Sequence, residues 1–171
     1  ARNGHTVTLF ERNEKLGKKL YITGKGRCNV TNIADRDAFF ERVLRNPRFL
    51  YSAFSHFDNK ALMERIEQAG VPLKTERGGR VFPVSDKSSD ILRACEKIVR
   101  EAGVTVRLNT RVDEVLVQEG AVCGIRIGAQ TLTCDAVVIA TGGISYPQTG
   151  STGDGYAFAR ATGHTVEEPV A

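Results

Sequence analysis

No apolar run in these 171 residues approaches the roughly 18 to 20 that a membrane-spanning helix needs. Low-complexity tracts are missing too. The four cysteines, Cys28, Cys95, Cys123 and Cys134, lie far apart and form no CxxC. That spacing excludes a zinc ribbon and a dithiol motif, and reduced thiols in a cytoplasmic protein are the simplest account. His5, His56 and His164 stand in no ligand spacing, so no metal site is read. Charge of one sign is scarce: the net charge is +4 and the pI about 9.0. Nucleic-acid binding calls for a basic stripe with aromatic platforms. Here the basic residues are spread out apart from one loop, so no nucleic-acid partner and no membrane partner is expected. What is present is an ordinary globular composition, 41% hydrophobic and 26% charged, in a chain long enough to bury a core.

The stretch from His5 to Asn32 organises the rest. Thr6 to Phe10 is a short run of β-formers without helical periodicity, which reads as a buried strand. It ends in Glu11, at the carboxyl edge where open α/β sheets bind ligands. A carboxylate there suits a ribose hydroxyl pair, although such an acid is often only a solvated loop residue. A loop with Gly17, Gly24 and Gly26 among Lys15, Lys18, Lys19, Lys25 and Arg27 follows, suited to phosphates or an anionic ring. It is not a P-loop, because six residues separate Gly17 from Gly24 and Gly26 follows Lys25. Gly24 to Asn29 reads either as backbone lying close to a flat polar ring or as a surface turn. Arg27 beside Cys28 could make that thiol reactive, but a buried structural thiol is the commoner case.

Ala1 to Gly4 looks like the end of a helix closed by glycine. In a dinucleotide fold Glu11 would stand about 20 residues beyond a GxGxxG turn, and the chain is expected to be a fragment lacking that first strand. Between Ile33 and Val84 the pattern turns helical. Asp35 can cap a helix bearing Ala38, Phe39, Val43 and Leu44. Asn46-Pro47 starts a second with Leu50, Ala53, Phe54 and Phe57, and Asn59 a third ending at Gly70. Leu73 to Arg77 and Arg80 to Val84 flank Gly78-Gly79, a hairpin signal. Ser89 or Asp90 then caps an amphipathic helix closed by Gly103, and Val104 to Leu108 is a strand. REAGVTVRL repeats the logic of ARNGHTVTL, as two units of one parallel sheet would. Val112 to Gln118, Ala121 to Ile127 and Gln130 to Thr133 form a β-meander. Ala136 to Ala140 reads as a strand covered on both faces, stopping at Thr141-Gly142-Gly143. The paired glycines would let main chain approach a ligand, or form a plain turn. Gly153 and Asp154 open a last helix, aiming amides at an anion or simply capping it.

Taken together, LFERNEKLGKKLYITGKGRCNVTN, ERGGRVFP and VVIATGGISYPQTGSTGDGY resemble one family over essentially the whole chain. It is the BaiN-type, aminoacetone-oxidase-like family of NAD(P)/FAD-dependent oxidoreductases, among the glutathione-reductase-like flavoproteins. The resemblance implies an α/β fold, a partial Rossmann-like FAD-binding domain of parallel sheet plus β-meander with a helical and hairpin insertion. Residues 1–32 and 86–166 would form that domain, 33–85 the insertion, and 167–171 the start of a severed connection. Glu11 would bind the adenosine ribose, with Arg12 beside it. Lys18, Lys19, Gly24, Gly26, Arg27, Cys28, Asn29, Thr31 and Asn32 would lie along FAD. Val112 would meet the adenine, Ala140, Thr141, Gly142 and Gly143 the pyrophosphate and flavin, and Gly153 and Asp154 belong to the same set. The implied activity is FAD-dependent oxidation or reduction of a small-molecule substrate, with NAD(P)H as a candidate donor. No catalytic residue can be assigned. A catalytically silent truncated domain and a basic RNA-binding module are the alternatives.

Overall fold

The computed structural model of the protein describes residues 1, 3–167 and 169. In chain order its regular elements are β1 (Thr8–Phe10), α1 (Lys18–Ile22), β2 (Thr31–Asn32), α2 (Arg36–Phe40), α3 (Tyr51–His56), α4 (Asn59–Gln68), β3 (Leu73–Glu76), β4 (Arg80–Pro83), α5 (Ser88–Glu101), β5 (Thr105–Arg107), β6 (Glu114–Gln118), β7 (Ala121–Ile127), β8 (Gln130–Thr133) and α6 (Asp154–Ala161). The class is mixed α/β. It combines one parallel pair, β1 with β5, and two antiparallel sheets in the orders β2-β4-β3 and β6-β7-β8.

The chain divides into two compact units, one of Asn3–Lys19 with Val104 onward, the other of Leu20–Gly103. In the first, β1 and β5 run parallel with Leu9 opposite Val106. The ladder runs past both strand ends, the Thr105 amide donating to the Val7 carbonyl and the Glu11 amide to the Arg107 carbonyl. The meander has its centre in β7, with Ile125 facing Val115 on one side and Leu132 on the other.

In the second unit, Cys28, Ile66, Ile91 and Ala94 form a buried cluster against which Leu20, Val30, Leu62, Cys95 and Ile98 pack. Ile91, Ala94, Cys95 and Ile98 recur at helical spacing, so α5 lays one apolar face on that cluster. The sequence reading placed its boundaries at 32/33 and 85/86. The packing divides the chain at Lys19/Leu20 and Gly103/Val104, because Leu20, Cys28 and Val30 share a core with α4 and α5.

Several expectations need correction. Ala136 to Ala140 forms no strand: it has no ladder partner among the described residues, and Val138 is 89% exposed. An apolar run becomes a covered strand only where neighbours supply hydrogen bonds and two packing faces. The β1 strand is half-buried rather than buried. Lys18–Ile22, read as loop, closes a short helix. The β3–β4 connection has three residues, since Glu76 pairs with Arg80. The first helical stripe stops at Phe40, leaving Leu44 97% exposed. Asn46 makes no side-chain cap, and Asp58 rather than Asn59 caps α4, accepting from the Ala61 amide at 2.8 Å. Lys87 precedes α5 without any side-chain cap. The helix end read over Ala1 to Gly4 includes Arg2, outside the described residues, as does most of 167–171.

Candidate functional site

Within the first unit the site is built where β1 runs out. Glu11 continues the ladder with its main chain, so its side chain projects from a fixed point. Its Oε1 accepts from the Asn13 amide at 2.8 Å and from Asn13 Nδ2 at 2.9 Å. Its Oε2 has no partner among the described residues. The Glu11 carbonyl accepts from the Thr110 amide at 2.9 Å. That bond leads directly to Val112, whose main-chain amide and carbonyl make no hydrogen bond with the described residues. Glu11 is thus a half-buried acid with one oxygen held and one without a partner among the described residues, and its carbonyl is bonded two residues before Val112.

The same strand tip is tied to the glycine-rich loop. Asn13 Nδ2 also donates to the Thr149 carbonyl at 3.1 Å. Arg12 Nη1 donates to Thr152 Oγ1 at 2.6 Å, and Arg12 Nη2 pairs with Asp154 at 3.2 Å. Asp154 also faces Arg111 Nε at 3.7 Å and accepts from Thr152 Oγ1 at 3.0 Å. It is the first residue of α6, not its cap; Gly153 holds the cap position in a left-handed conformation. The Gly153 amide donates to the Gly143 carbonyl at 3.2 Å. Gly142 has φ +75°, and a Cβ there would lie 3.1 Å from the hydroxyl of buried Ser151. The close approach that glycine allows at 142 is therefore to the chain's own loop. Thr141 and Ala140 are exposed at the open end of this segment. Arg12 and Asn13, the two residues after Glu11, and Gly142 and Gly143 consequently all reach residues 149–153, in one unit.

The cations near the tip are engaged. Lys18 Nζ is 2.7 Å from Glu14, whose carboxyl it holds below the usual range. Lys19 Nζ donates to Ser145 Oγ at 2.7 Å.

The remaining predicted site residues belong to the second unit. Gly24 has φ +63°, and a Cβ there would lie 2.9 Å from the Asn29 amide nitrogen and 3.2 Å from the Phe82 ring. The Gly26 carbonyl accepts from the Ser88 amide at 3.0 Å. Arg27 lies 4.3 Å over the Phe82 ring and pairs with Glu76 and Asp86. Cys28 is fully buried, and burial pushes its thiol up to about 11, which removes the reactivity that Arg27 next to it suggested. The Asn29 side-chain amide, with its nitrogen turned toward them, lies 3.2 Å from the Val81 carbonyl and 3.0 Å from that of Thr31. Thr31 pairs with Val81 in the sheet, and Asn32 holds Gly78 and Ala34.

Sequence reasoning missed Asn13, Arg111, Thr152 and Ser151. Asn13 stands two residues after Glu11, a spacing at which a side chain can bond the preceding turn. The others carry no local signal, since their partners lie over a hundred residues away or in another loop. Among the described residues no cluster of metal-binding side chains occurs, and no helix is long and apolar enough to cross a membrane.

Comparison with known proteins adds three findings. A family model described as "HI0933-like protein Rossmann domain" matches residues 1–171. A 3-dehydro-bile acid delta(4,6)-reductase of Clostridium scindens is 34% identical over 165 residues, covering 96% of this chain and 39% of that protein. A ribosomal RNA dihydrouridine synthase of Haemophilus influenzae is 27% identical over 174 residues, 100% of this chain and 43% of that protein. The chain thus spans about two fifths of the length of these curated relatives. Among solved structures, THI4 of Thermovibrio ammonificans superposes with a TM-score of 0.53 at 18% identity, covering 82% of this chain and 50% of that one. At that identity the likeness concerns the fold.

Proposed function

The chain belongs to the HI0933-like Rossmann-domain family, and from that premise we propose that it is the nucleotide-binding part of a flavin-dependent oxidoreductase. One observation carries the reading: Glu11 ends β1 with Oε1 anchored by Asn13 and Oε2 free to accept from a ribose hydroxyl. The unpaired main chain at Val112 suits the edge of an adenine, and Gly142 and Gly143 pack on the Ser151–Gly153 loop that Arg12 also reaches. FAD fits these groups, and when bound it would supply the hydride and electron transfer. The protein's own part is to orient the adenosine end through Glu11 and to hold Thr141 to Gly143 in place through Ser151 and Gly153.

The names of the two curated relatives both describe reduction of a carbon–carbon double bond, and this reading gives the present protein the same reaction class. NAD(P)H as electron donor, a small-molecule substrate and a cytoplasmic location complete it. Glu11→Gln tests it in the whole protein. The substitution keeps an acceptor for Asn13 but replaces a ribose acceptor by a donor. Loss of a charge-assisted hydrogen bond of about 1.5–3 kcal/mol predicts FAD binding ~10- to 100-fold weaker by fluorescence titration. Unchanged affinity sinks the assignment.

A second reading, an RNA substrate, is favoured by one surface of the other unit. Arg42, Arg45 and Arg48 are exposed and form no ion pair among the described residues, beside Phe49 at 79% exposure. Arg36 lies over the Phe40 and Tyr51 rings. Arginines interleaved with rings suit phosphates and unstacked bases. A salt-dependent gel shift weakened by Arg42→Ala, Arg45→Ala and Arg48→Ala together would support it, and no shift at low salt would remove it.

A further inference from the structure

We propose that Cys123 and Cys134 are a reversible redox pair that closes into a disulfide across the β7–β8 edge. The register carries it. Gly124 pairs with Thr133, Ile125 with Leu132 and Arg126 with Thr131. One more step along both strands sets Cys123 directly opposite Cys134. The main chain makes that step, the Cys134 amide donating to the Cys123 carbonyl at 3.2 Å. Directly opposed residues of an antiparallel pair project to the same face, with Cα atoms about 5.5 Å apart where they are hydrogen-bonded. That spacing lies inside the ~4.4–6.8 Å over which disulfides close. Cys134 is one residue beyond the end of β8, where fewer ladder bonds resist the small inward movement required.

Access supports the pairing. Both thiols are free and half-buried, and both line one shallow depression of about 480 Å³ with Val122, Thr133 and Asp135. A small oxidant therefore reaches the two sulfurs from a common side. Cys28 and Cys95 differ in both respects. They pack in the core of the other unit, Cys28 with no exposed surface, and burial raises both thiols away from the thiolate form.

A hydroperoxide is the oxidant class. One thiolate attacks the peroxide oxygen, the O–O bond breaks, and the products are a sulfenic acid and an alcohol, or water when hydrogen peroxide is used. The second thiol then attacks that sulfur, forming the S–S bond and releasing water. Two thiols and one hydroperoxide give one disulfide, one alcohol and one water, with two electrons passing from the sulfurs to oxygen. A dithiol reverses the step by exchange. The pair is independent of any flavin.

The test uses the folded protein and hydrogen peroxide, followed by alkylation and tryptic mass spectrometry. Trypsin cuts after Arg126, between the two cysteines, so the linkage appears as two joined peptides. The expected result is loss of two of the four alkylatable thiols, a joined pair within one chain, and full recovery with dithiothreitol. Cys123→Ser or Cys134→Ser should abolish the joined peptides and leave a sulfenic acid that dimedone traps on the remaining cysteine. Joined peptides containing Cys28 or Cys95, or oxidation of Cys123 and Cys134 without their linkage, would overturn the proposal, and so would four thiols unchanged by peroxide.

Discussion

The packing of the meander can be tested at Gly124, which is buried in β7 between two partner strands. A Cβ added there would lie 2.5 Å from the Leu132 carbonyl oxygen, 3.3 Å from its carbon and 3.4 Å from Thr133 Cα. The first distance falls nearly an ångström short of ordinary contact, and all three atoms are main chain. No rotamer change can relieve the clash, so β8 must move as a strand and stretch its ladder. Overpacking of this kind costs ~1–3 kcal/mol. Alanine recovers part of that, because glycine in a strand is disfavoured by ~0.5–1 kcal/mol. The net for Gly124→Ala is a destabilisation of about 0.5–2 kcal/mol, or a Tm lowered by ~1–8 °C in a chain of this size. A thermal melt followed by circular dichroism measures it. The displaced strand also carries Cys134 away from Cys123, so peroxide should join the two cysteines more slowly. A Tm at or above that of the parent would refute the close approach of β8 to Gly124.

Two further outcomes follow from the other unit. Ile91 is 1% exposed in the buried cluster, and Ile91→Ala should lower stability by about 2–5 kcal/mol in urea titration, with an unchanged midpoint counting against that core. Glu76 is held below its ordinary 4.5 by the Arg27 hydrogen bond, and Asp86 below its ordinary 3.8 by Lys74 and then Arg27. Folded values depressed in this way add stability that is present above the unfolded values and lost as pH falls through the folded ones. The urea midpoint should therefore drop on acidification below about pH 4.5, less steeply in Asp86→Asn, and equal slopes would show the network to be inert.

Much of the secondary structure was legible because its causes are local. Asp35 accepts from the Ala38 amide at 2.9 Å, as a cap three residues ahead should. The α5 stripe is a period, the meander is alternation broken by Glu119-Gly120 and Gly128, and the repeated helix-glycine-strand pattern does yield the parallel β1–β5 pair. What failed depended on distant partners. Ala136 to Ala140 has the composition of a central strand, yet composition does not provide the neighbouring strands. Asp58 and Asn59 are equally good caps by type; Asn59 Nδ2 instead donates to the carbonyls of Asn32 and Ala34, about 25 residues back in sequence. The hairpin was visible at Gly78-Gly79 but not its register, because Arg77 joins the turn.

For the candidate site, the partners of its charged residues were not legible. A lysine- and arginine-rich stretch after a strand invites the reading that its charges await an anion. In the folded chain Arg12 faces Asp154, Lys18 faces Glu14, and Arg27 faces Glu76 and Asp86. Each of these cations is already matched by a carboxylate remote in sequence or one turn away, so counting them on the chain overstated the local field. The groups on which the proposed nucleotide contacts rest are of another kind: one carboxylate oxygen of Glu11 and the main chain at Val112. Such a frame discriminates by hydrogen-bond direction and shape rather than by total charge, which suits a ribose and an adenine edge better than an isolated phosphate. Arg12 is then a positioning residue. Its guanidinium ties the β1 tip, one residue from Glu11, to Thr152 and Asp154. Under the proposed reading Arg12→Ala should therefore loosen that tip and weaken FAD binding without removing a direct contact.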